Sequence, residues 1–151
     1  MWFLEKFQAD VERDADGKPW YVKGLRFSCE RCGTCCTGGP GNVWVDRKEI
    51  ETIATSLEMP SDKFREIFIK KVKRKFSLRE QDNGDCIFFM SRMGCQIYHH
   101  RPKQCQTWPF WDSNILSWRE WKETCRRCPG AGVGELHSVE EIELKRNMRK
   151  M

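Results

Sequence analysis

Residues 27–39 read FSCERCGTCCTGG and place four cysteines within eight consecutive positions. Cys29, Cys32 and Cys35 follow one another at two-residue spacing, and Cys36 comes directly after them. This spacing lets one tight loop direct three thiols towards a shared centre. Neighbouring glycines give the backbone the freedom that such a loop needs. The stretch therefore indicates a loop of metal ligands.

The chain as a whole is too hydrophilic for a large apolar core. It has 151 residues, of which 39% are hydrophobic, and its mean hydropathy is −0.71. Much of the apolar surface is aromatic, with seven Trp and nine Phe. The length suits one domain that covers residues 1–151.

The compartment decides how the nine cysteines are interpreted. No apolar run approaches the roughly 20 residues that span a bilayer. The first residues, MWFLEKFQADVERD, lack the apolar run and cleavage site of a signal peptide. We therefore expect a cytoplasmic protein, in which thiols stay reduced and bind metal instead of forming disulfides. The odd number of cysteines also disfavours a disulfide framework.

The net charge of +5 counts every cysteine as neutral. A metal-bound cysteine is a thiolate, so metal sites would offset part of this charge. The basic excess is then weak evidence for nucleic acid. We expect a protein partner, and neither a membrane nor a nucleic acid; the oligomeric state stays open.

The predicted fold is a small α+β domain, in which helices pack around a short antiparallel hairpin with long cysteine-rich loops. Residues 1–26 are expected to form an N-terminal strand or extended arm. Residues 75–90 are expected to form the hairpin, because Asn83 and Gly84 suit a tight turn. Phe88 and Phe89 would lie in its returning strand.

Capping boxes mark the beginnings of three predicted helices. The paired residues are Asp46 with Glu49, Ser117 with Glu120, and Ser138 with Glu141. A further helix is expected with Ser61 as its N-cap and Val72 on its buried side, and a short one after Pro102. The last helix, strongly charged, is assigned to residues 134–151.

The spacing of the first three cysteines is compatible with two kinds of metal site. The same two-residue spacing begins the bacterial ferredoxin motif, whose last cysteine precedes a proline, as Cys128 does here. A single C-x-x-C pair suits zinc equally well. Three ligands in series favour an iron–sulfur cluster, of the 4Fe–4S type, with zinc as the alternative.

Four segments of the chain resemble one known family. FSCERCGTCC, GDCIFF, GCQIYHHRPKQCQTWPF and CPG resemble the CxxCxxCC-type (YkgJ-like) cysteine-cluster family, which is described as zinc- or iron-chelating. The resemblance covers about residues 25–133. It implies metal ligation by Cys29, Cys32, Cys35, Cys36, Cys86, Cys95, Cys105 and Cys128. Cys125 lies outside the family pattern.

Eight ligands make two sets of four. Cys36 is expected to point away from Cys35 and thus to serve a second centre, or else to close the first from another direction; we adopt the two-centre interpretation. One predicted centre comprises Cys29, Cys32, Cys35 and Cys128. The other comprises Cys36, Cys86, Cys95 and Cys105.

Arg101 has two interpretations. It stabilises the anionic site by charge, or it holds its turn through backbone carbonyls. His99 and His100 are expected to be exposed and not to ligate metal. The aromatic residues between 108 and 121 are expected to cover the cluster and supply core. The basic run from Lys70 to Lys75 is expected to be a solvated helix end.

The leading functional hypothesis is an iron–sulfur protein with a redox, sensing or partner-enzyme role, and with room for a second thiolate metal site. The alternative is a zinc-stabilised interaction module without redox activity. A third is a methyltransferase-related enzyme, since flagellin lysine N-methylases carry a related cysteine-rich region. The chain shows no evident S-adenosylmethionine site and no catalytic motif, so no enzyme activity is assigned.

Overall fold

The computed structural model describes residues 10–33, 35–37 and 41–150, with the side chains of 149 and 150 left aside. Residues 1–9 of the predicted N-terminal arm lie outside this range. The strands are β1 (Leu25–Phe27), β2 (Val43–Val45), β3 (Ile69–Val72), β4 (Lys75–Leu78), β5 (Phe89–Met90), β6 (Gly94–Cys95) and β7 (Ala131–His137). The helices are α1 (Arg47–Ser56), α2 (Ser61–Phe68), α3 (Lys103–Gln106), α4 (Asp112–Ile115), α5 (Trp118–Arg127) and α6 (Val139–Lys150).

The chain divides into two compact units. The first unit combines Met1–Glu30 with Pro109–Met151, and the second is Arg31–Trp108. Each unit contains helices and antiparallel strands, which confirms the α+β class. The assignment of residues 1–151 to a single cysteine-cluster domain stays a prediction.

The second unit is built on a three-stranded antiparallel sheet of order β2–β4–β3. Helix α1 begins at the predicted capping box: the Glu49 amide donates to the Asp46 carboxylate at 2.7 Å, and the Asp46 amide donates to Glu49 at 2.8 Å. Helices α1 and α2 bury their apolar faces against the sheet. The buried cluster comprises Val45, Ile50, Ile53, Ala54, Phe64, Ile69, Leu78, Phe88 and Ile97.

The prediction that α2 continues to Val72 is wrong. Pro60 is the N-cap of α2, and the predicted cap, Ser61, is the first residue of the helix. The helix ends at Phe68, and Ile69–Val72 forms β3, which turns back directly into β4. β-branched residues favour the extended strand. Lys73 takes a positive φ of 57°, as tight hairpin turns require. The basic run is thus a solvated hairpin turn instead of a helix end.

The predicted hairpin of residues 75–90 has a correct turn and a different pairing. The Gly84 amide donates to the Gln81 carbonyl at 2.9 Å, and Glu80 bridges to Cys86. Strand β4, however, pairs with β2 and β3, while β5 pairs with β6. The predicted pairing is therefore kept near the turn, where the Ile87 amide donates to the Arg79 carbonyl at 3.0 Å, whereas β4 joins the larger sheet.

The first unit contains a two-stranded antiparallel ribbon, β1–β7. Its core centres on Phe110, whose ring lies 6.2 Å from that of Phe27 and 6.1 Å from that of Trp121. Phe110 and Trp121, two of the aromatic residues that were expected to supply core, are buried here.

The predicted start of the last helix at residue 134 is wrong, because residues 134–137 belong to β7 and α6 begins at Val139. The sequence did not predict β7, because its glycine-rich segment, Ala131–His137, shows no strand pattern.

None of the helices in the described part of the chain has the length and hydropathy that a membrane crossing requires.

A charged group is buried in the first unit. Arg146 is 5% exposed, and it donates to Asp112 at 2.7 Å and to Glu143 at 2.9 Å. It also donates to the Tyr21 hydroxyl, which in turn donates to Glu143. Burial, with the hydrogen bond to Glu143, raises the pKa of Tyr21. The network joins α6 to Tyr21, which precedes the second unit in the sequence, and to Asp112, which follows it.

Replacing Arg146 by methionine should lower the free energy of unfolding by about 3 kcal/mol, because partly buried carboxylates lose their countercharge. Urea denaturation followed by circular dichroism measures the change. The control is Arg126→Met, which removes an exposed pair with Glu123 and should cost less than about 1 kcal/mol. Equal losses in the two variants would show that the buried network contributes no more than a surface pair.

Candidate metal centre

The cysteine loop rests on the β5–β6 hairpin through Gly33. Gly33 has a φ of +82°, and a Cβ built on it would lie 2.4 Å from the Phe89 ring. Its carbonyl accepts from the Cys36 amide at 2.9 Å and from the Thr37 hydroxyl at 3.0 Å. Only glycine combines this backbone conformation with this approach. The turn therefore sets the position of Cys35 and Cys36.

Cys86 and Cys95 come to this loop from the short hairpins. The Cys86 amide donates to the Cys36 carbonyl at 2.8 Å. The Cys86 carbonyl accepts from the Phe89 amide and from the Gln81 side chain, both at 2.9 Å. Cys95 lies opposite Phe89 in the β5–β6 pair. Backbone hydrogen bonds thus bring together cysteines that are far apart in the sequence.

Helix α3 supplies Cys105. The Lys103 amide donates to the Glu49 carboxylate at 2.7 Å, and Gln104 accepts from the Trp44 amide at 3.0 Å. These bonds attach α3 to α1 and to β2. Burial raises the pKa of Cys105, and the charges of nearby cysteines raise it further.

The second unit therefore contains a five-thiol group: Cys35, Cys36, Cys86, Cys95 and Cys105. Their charges act on one another: the pKa of Cys86 is raised first by burial and then by Cys95 and Cys35. The hydrogen bond between the Cys35 and Cys36 thiols lowers the pKa of Cys35 and raises that of Cys36. The members are intermediate in exposure except Cys35, which is exposed.

The expectation that Cys35 and Cys36 point apart is wrong. Their Sγ atoms are 4.0 Å apart, because the turn after Gly33 brings the two side chains to one side. Cys35 therefore lies with the four cysteines of the second predicted centre. The assignment of individual thiols to centres stays a prediction.

Positive charge lies beside the five-thiol group. Arg101 lowers the pKa of Cys35 and opposes the increase at Cys105. Its Nε also donates to the Tyr98 carbonyl at 2.9 Å, and its Cζ lies 4.0 Å from the Tyr98 ring centroid. The expected role of Arg101 in holding its turn is thus confirmed, and its role in stabilising an anionic site stays a prediction. His99 and His100 are exposed, as expected.

Arg31 also lies in this region, and the sequence did not predict a role for it. Its Cζ lies 4.1 Å from the Tyr98 ring centroid, so the same ring contacts two guanidinium groups. Cation–π contacts of this kind hold a charge in place. The available signal was its position between Cys29 and Cys32, within the ligand motif.

The other three predicted ligands are divided between the two units. Cys32 is exposed in the second unit, whereas Cys29 and Cys128 belong to the first. Cys128 caps the end of α5 and is 5% exposed. Burial raises the pKa of Cys125, and the charge of Cys128 raises it further. The predicted set of Cys29, Cys32, Cys35 and Cys128 draws on both units and stays a prediction.

The donor chemistry of the five-thiol group fits zinc or iron, since thiolates select these metals. In residues 10–33, 35–37 and 41–150, no three Cys, His, Asp or Glu side chains surround a point that could hold a metal ion. The five-thiol group thus fits such a metal in the kind and number of its donors.

Residues 28–129 match the model of the CxxCxxCC family, a "putative zinc- or iron-chelating domain". The chain belongs to this family. The matched range includes all eight predicted ligands. Membership in the CxxCxxCC family supports metal binding by this chain, with zinc or iron as the metal. No solved structure matches the chain.

Replacing Gly33 by alanine should displace the cysteine loop and lower the amount of metal bound per chain. The new Cβ would collide with Phe89 in addition to straining the backbone. Gly17→Ala is the matched control, because Gly17 has a φ of +77° and open space around it. The control should lose about 1 kcal/mol from strain alone and keep its metal.

Metal analysis and thermal unfolding of both variants test this expectation. Equal metal content in the two variants would show that the contact between Gly33 and Phe89 does not position the thiols.

Proposed function

We propose that this protein binds an iron–sulfur cluster at the five-thiol group of its second unit. The observation that carries the proposal is the gathering of five thiols from the cysteine loop, two hairpins and α3 beside Arg101. The predicted ligands are Cys36, Cys86, Cys95 and Cys105. Cys35 is the additional thiol, beside Cys36 and under the influence of Arg101.

The sequence supports a cluster over a single zinc ion. Cys29, Cys32 and Cys35 follow one another at the two-residue spacing with which the bacterial ferredoxin motif begins. A single C-x-x-C pair would suit zinc equally well, whereas three ligands in series favour the cluster.

When bound, such a cluster supplies one-electron chemistry. The chain's own residues have two tasks there. Arg101 places positive charge next to anionic sulfur, which stabilises the thiolates. The backbone hydrogen bonds of the loop and hairpins hold the thiols in position, and hydrogen bonds around a cluster influence its reduction potential. We infer a role in electron transfer, redox sensing or service to a partner enzyme in the cytoplasm.

The second candidate is a zinc-stabilised interaction module. The family description names zinc beside iron, and a thiol-only donor set suits both metals.

Anaerobic purification followed by iron, acid-labile sulfide and zinc analysis decides between the two. We expect about four irons and four sulfides per chain. Zinc without sulfide would support the second candidate and contradict the cluster.

Cys95→Ser should reduce bound iron and sulfide severely, because it removes a predicted ligand. Cys125→Ser is the matched control, since Cys125 lies in the first unit and outside the family pattern. The control should keep its iron and sulfide. Retention of the full metal content by Cys95→Ser would exclude Cys95 as a required ligand.

Removing the metal with a chelator under reducing conditions should lower the free energy of unfolding by about 5 kcal/mol or more. A site that exists only in the folded chain contributes its binding energy to folding. Circular dichroism before and after treatment measures helix content and the cooperativity of melting. An unchanged cooperative melt of the metal-free protein would mean that the apolar core alone maintains the fold.

A further inference from the structure

The first unit contains a groove that the metal centre does not explain. It has a volume of about 620 Å³ and runs between α5 and the β1–β7 ribbon. One helix face forms one wall, with Trp118, Trp121, Lys122, Cys125 and Arg126 at helical spacing. The volume is in the range of ligand-binding clefts.

The groove has a closed apolar floor and open apolar rims. Trp121 is 3% exposed and Leu25 5%, so the floor is built into the core of the unit. Trp118 is 57% exposed and Leu136 51%, and they lie on opposite walls. Single exposed apolar residues are ordinary, but two that face one groove indicate a surface for another apolar group.

The exposed indole is held in position from behind. The Trp118 ring lies 5.7 Å from that of Trp20, edge to face. Trp20 is itself fixed, because its Nε1 donates to the Ile115 carbonyl at 2.8 Å. A side chain that is positioned before binding loses little conformational entropy when a ligand arrives.

The charged residues that line the groove in the described part of the chain are all basic: Arg26, Lys122 and Arg126. Arg26 is held over its wall by a hydrogen bond from Nη1 to the Gly134 carbonyl at 3.0 Å. Arg126 pairs with Glu123, but this pair is exposed and therefore weak. A carboxylate that enters the groove would meet positive charge from both walls.

We propose that this groove binds an acidic segment of a partner protein, with an apolar side chain set between carboxylates. The apolar side chain would lie on Trp121 between Trp118 and Leu136, and the carboxylates would pair with Arg26, Lys122 and Arg126. The proposal concerns the first unit alone and does not depend on which metal the second unit binds.

The lining favours a peptide over single-stranded nucleic acid. Nucleic-acid grooves follow a backbone with a series of exposed aromatic rings on which successive bases stack. Here Trp118 is the exposed ring among the described lining residues, since Trp121 is buried in the floor. The floor suits a branched or aromatic side chain that inserts from above.

Fluorescence anisotropy with the full-length, metal-loaded chain tests the proposal. The probe is a fluorescein-labelled mixture of short peptides with Glu or Asp alternating with Leu, Ile, Phe or Trp. We expect micromolar affinity that weakens as salt is added. Mixtures with Lys in place of the acidic residues, or Ser in place of the apolar ones, should bind at least about tenfold more weakly.

Charge reversal on α5 provides a matched pair of variants. Lys122→Glu should weaken binding about tenfold, because it places a carboxylate against the acidic probe. Arg119→Glu makes the same change on the same helix but outside the groove, and it should leave affinity within about twofold. Trp118→Ser, which removes the apolar rim, should also weaken binding about tenfold. Circular dichroism melts check that each variant is folded; if Lys122→Glu is not, Lys122→Gln replaces it, with about threefold weaker binding expected.

Alkylation locates the bound peptide. Cys125 lines the groove, so the peptide mixture should slow its modification by iodoacetamide several-fold, as measured by mass spectrometry. The control is the mixture with Ser in place of the apolar residues, which should leave the rate of Cys125 modification unchanged.

Four results would overturn the proposal. They are no binding of the acidic mixture up to about 1 mM, equal binding of the Lys-substituted mixture, equal affinity of the two charge-reversal variants, and tighter, competing binding of a single-stranded oligonucleotide.

Discussion

The burial of neighbouring thiols is the physical constraint on which the second unit depends. Burial disfavours the ionised forms of Cys86 and Cys105 most, and the charges of nearby cysteines raise the pKa of both thiols further. Removing charge from water is costly unless an opposite charge compensates it. Within the protein Arg101 provides one such charge, and bound metal would provide the rest. A group of this composition is therefore suited to metal.

The scaffold keeps these thiols together by bonds that have other tasks as well. Glu49 caps α1 with one carboxylate oxygen and accepts from the Lys103 amide with the other, so the beginning of α1 also positions α3. The Cys86 amide closes the cysteine loop onto the hairpin through the Cys36 carbonyl. Cys86 and Cys95 also pack against the apolar core. Metal binding and folding are thus expected to be coupled in this unit.

The first unit obtains its stability differently. A buried arginine, Arg146, joins three acidic side chains and Tyr21. An aromatic core around Phe110 supports the ribbon and α5. The basic and aromatic groove lies on this framework, and a hydrogen bond to the Gly134 carbonyl holds Arg26 beside it.

The sequence by itself determined what depends on nearby residues: the α+β class, the Asp46–Glu49 capping box, the turn at Gly84 and the cysteine-rich, metal-binding character of the chain. These follow from side chains and backbone groups within a few positions of one another. The tertiary structure decided that β4 pairs with β2 and β3, that Cys35 and Cys36 lie side by side among three distant cysteines, and that Arg31 and Arg101 share Tyr98. It also decided that α5 faces a ribbon whose second strand the sequence pattern did not predict. Such contacts join residues far apart along the chain, so no local pattern specifies them; packing and long-range hydrogen bonds do.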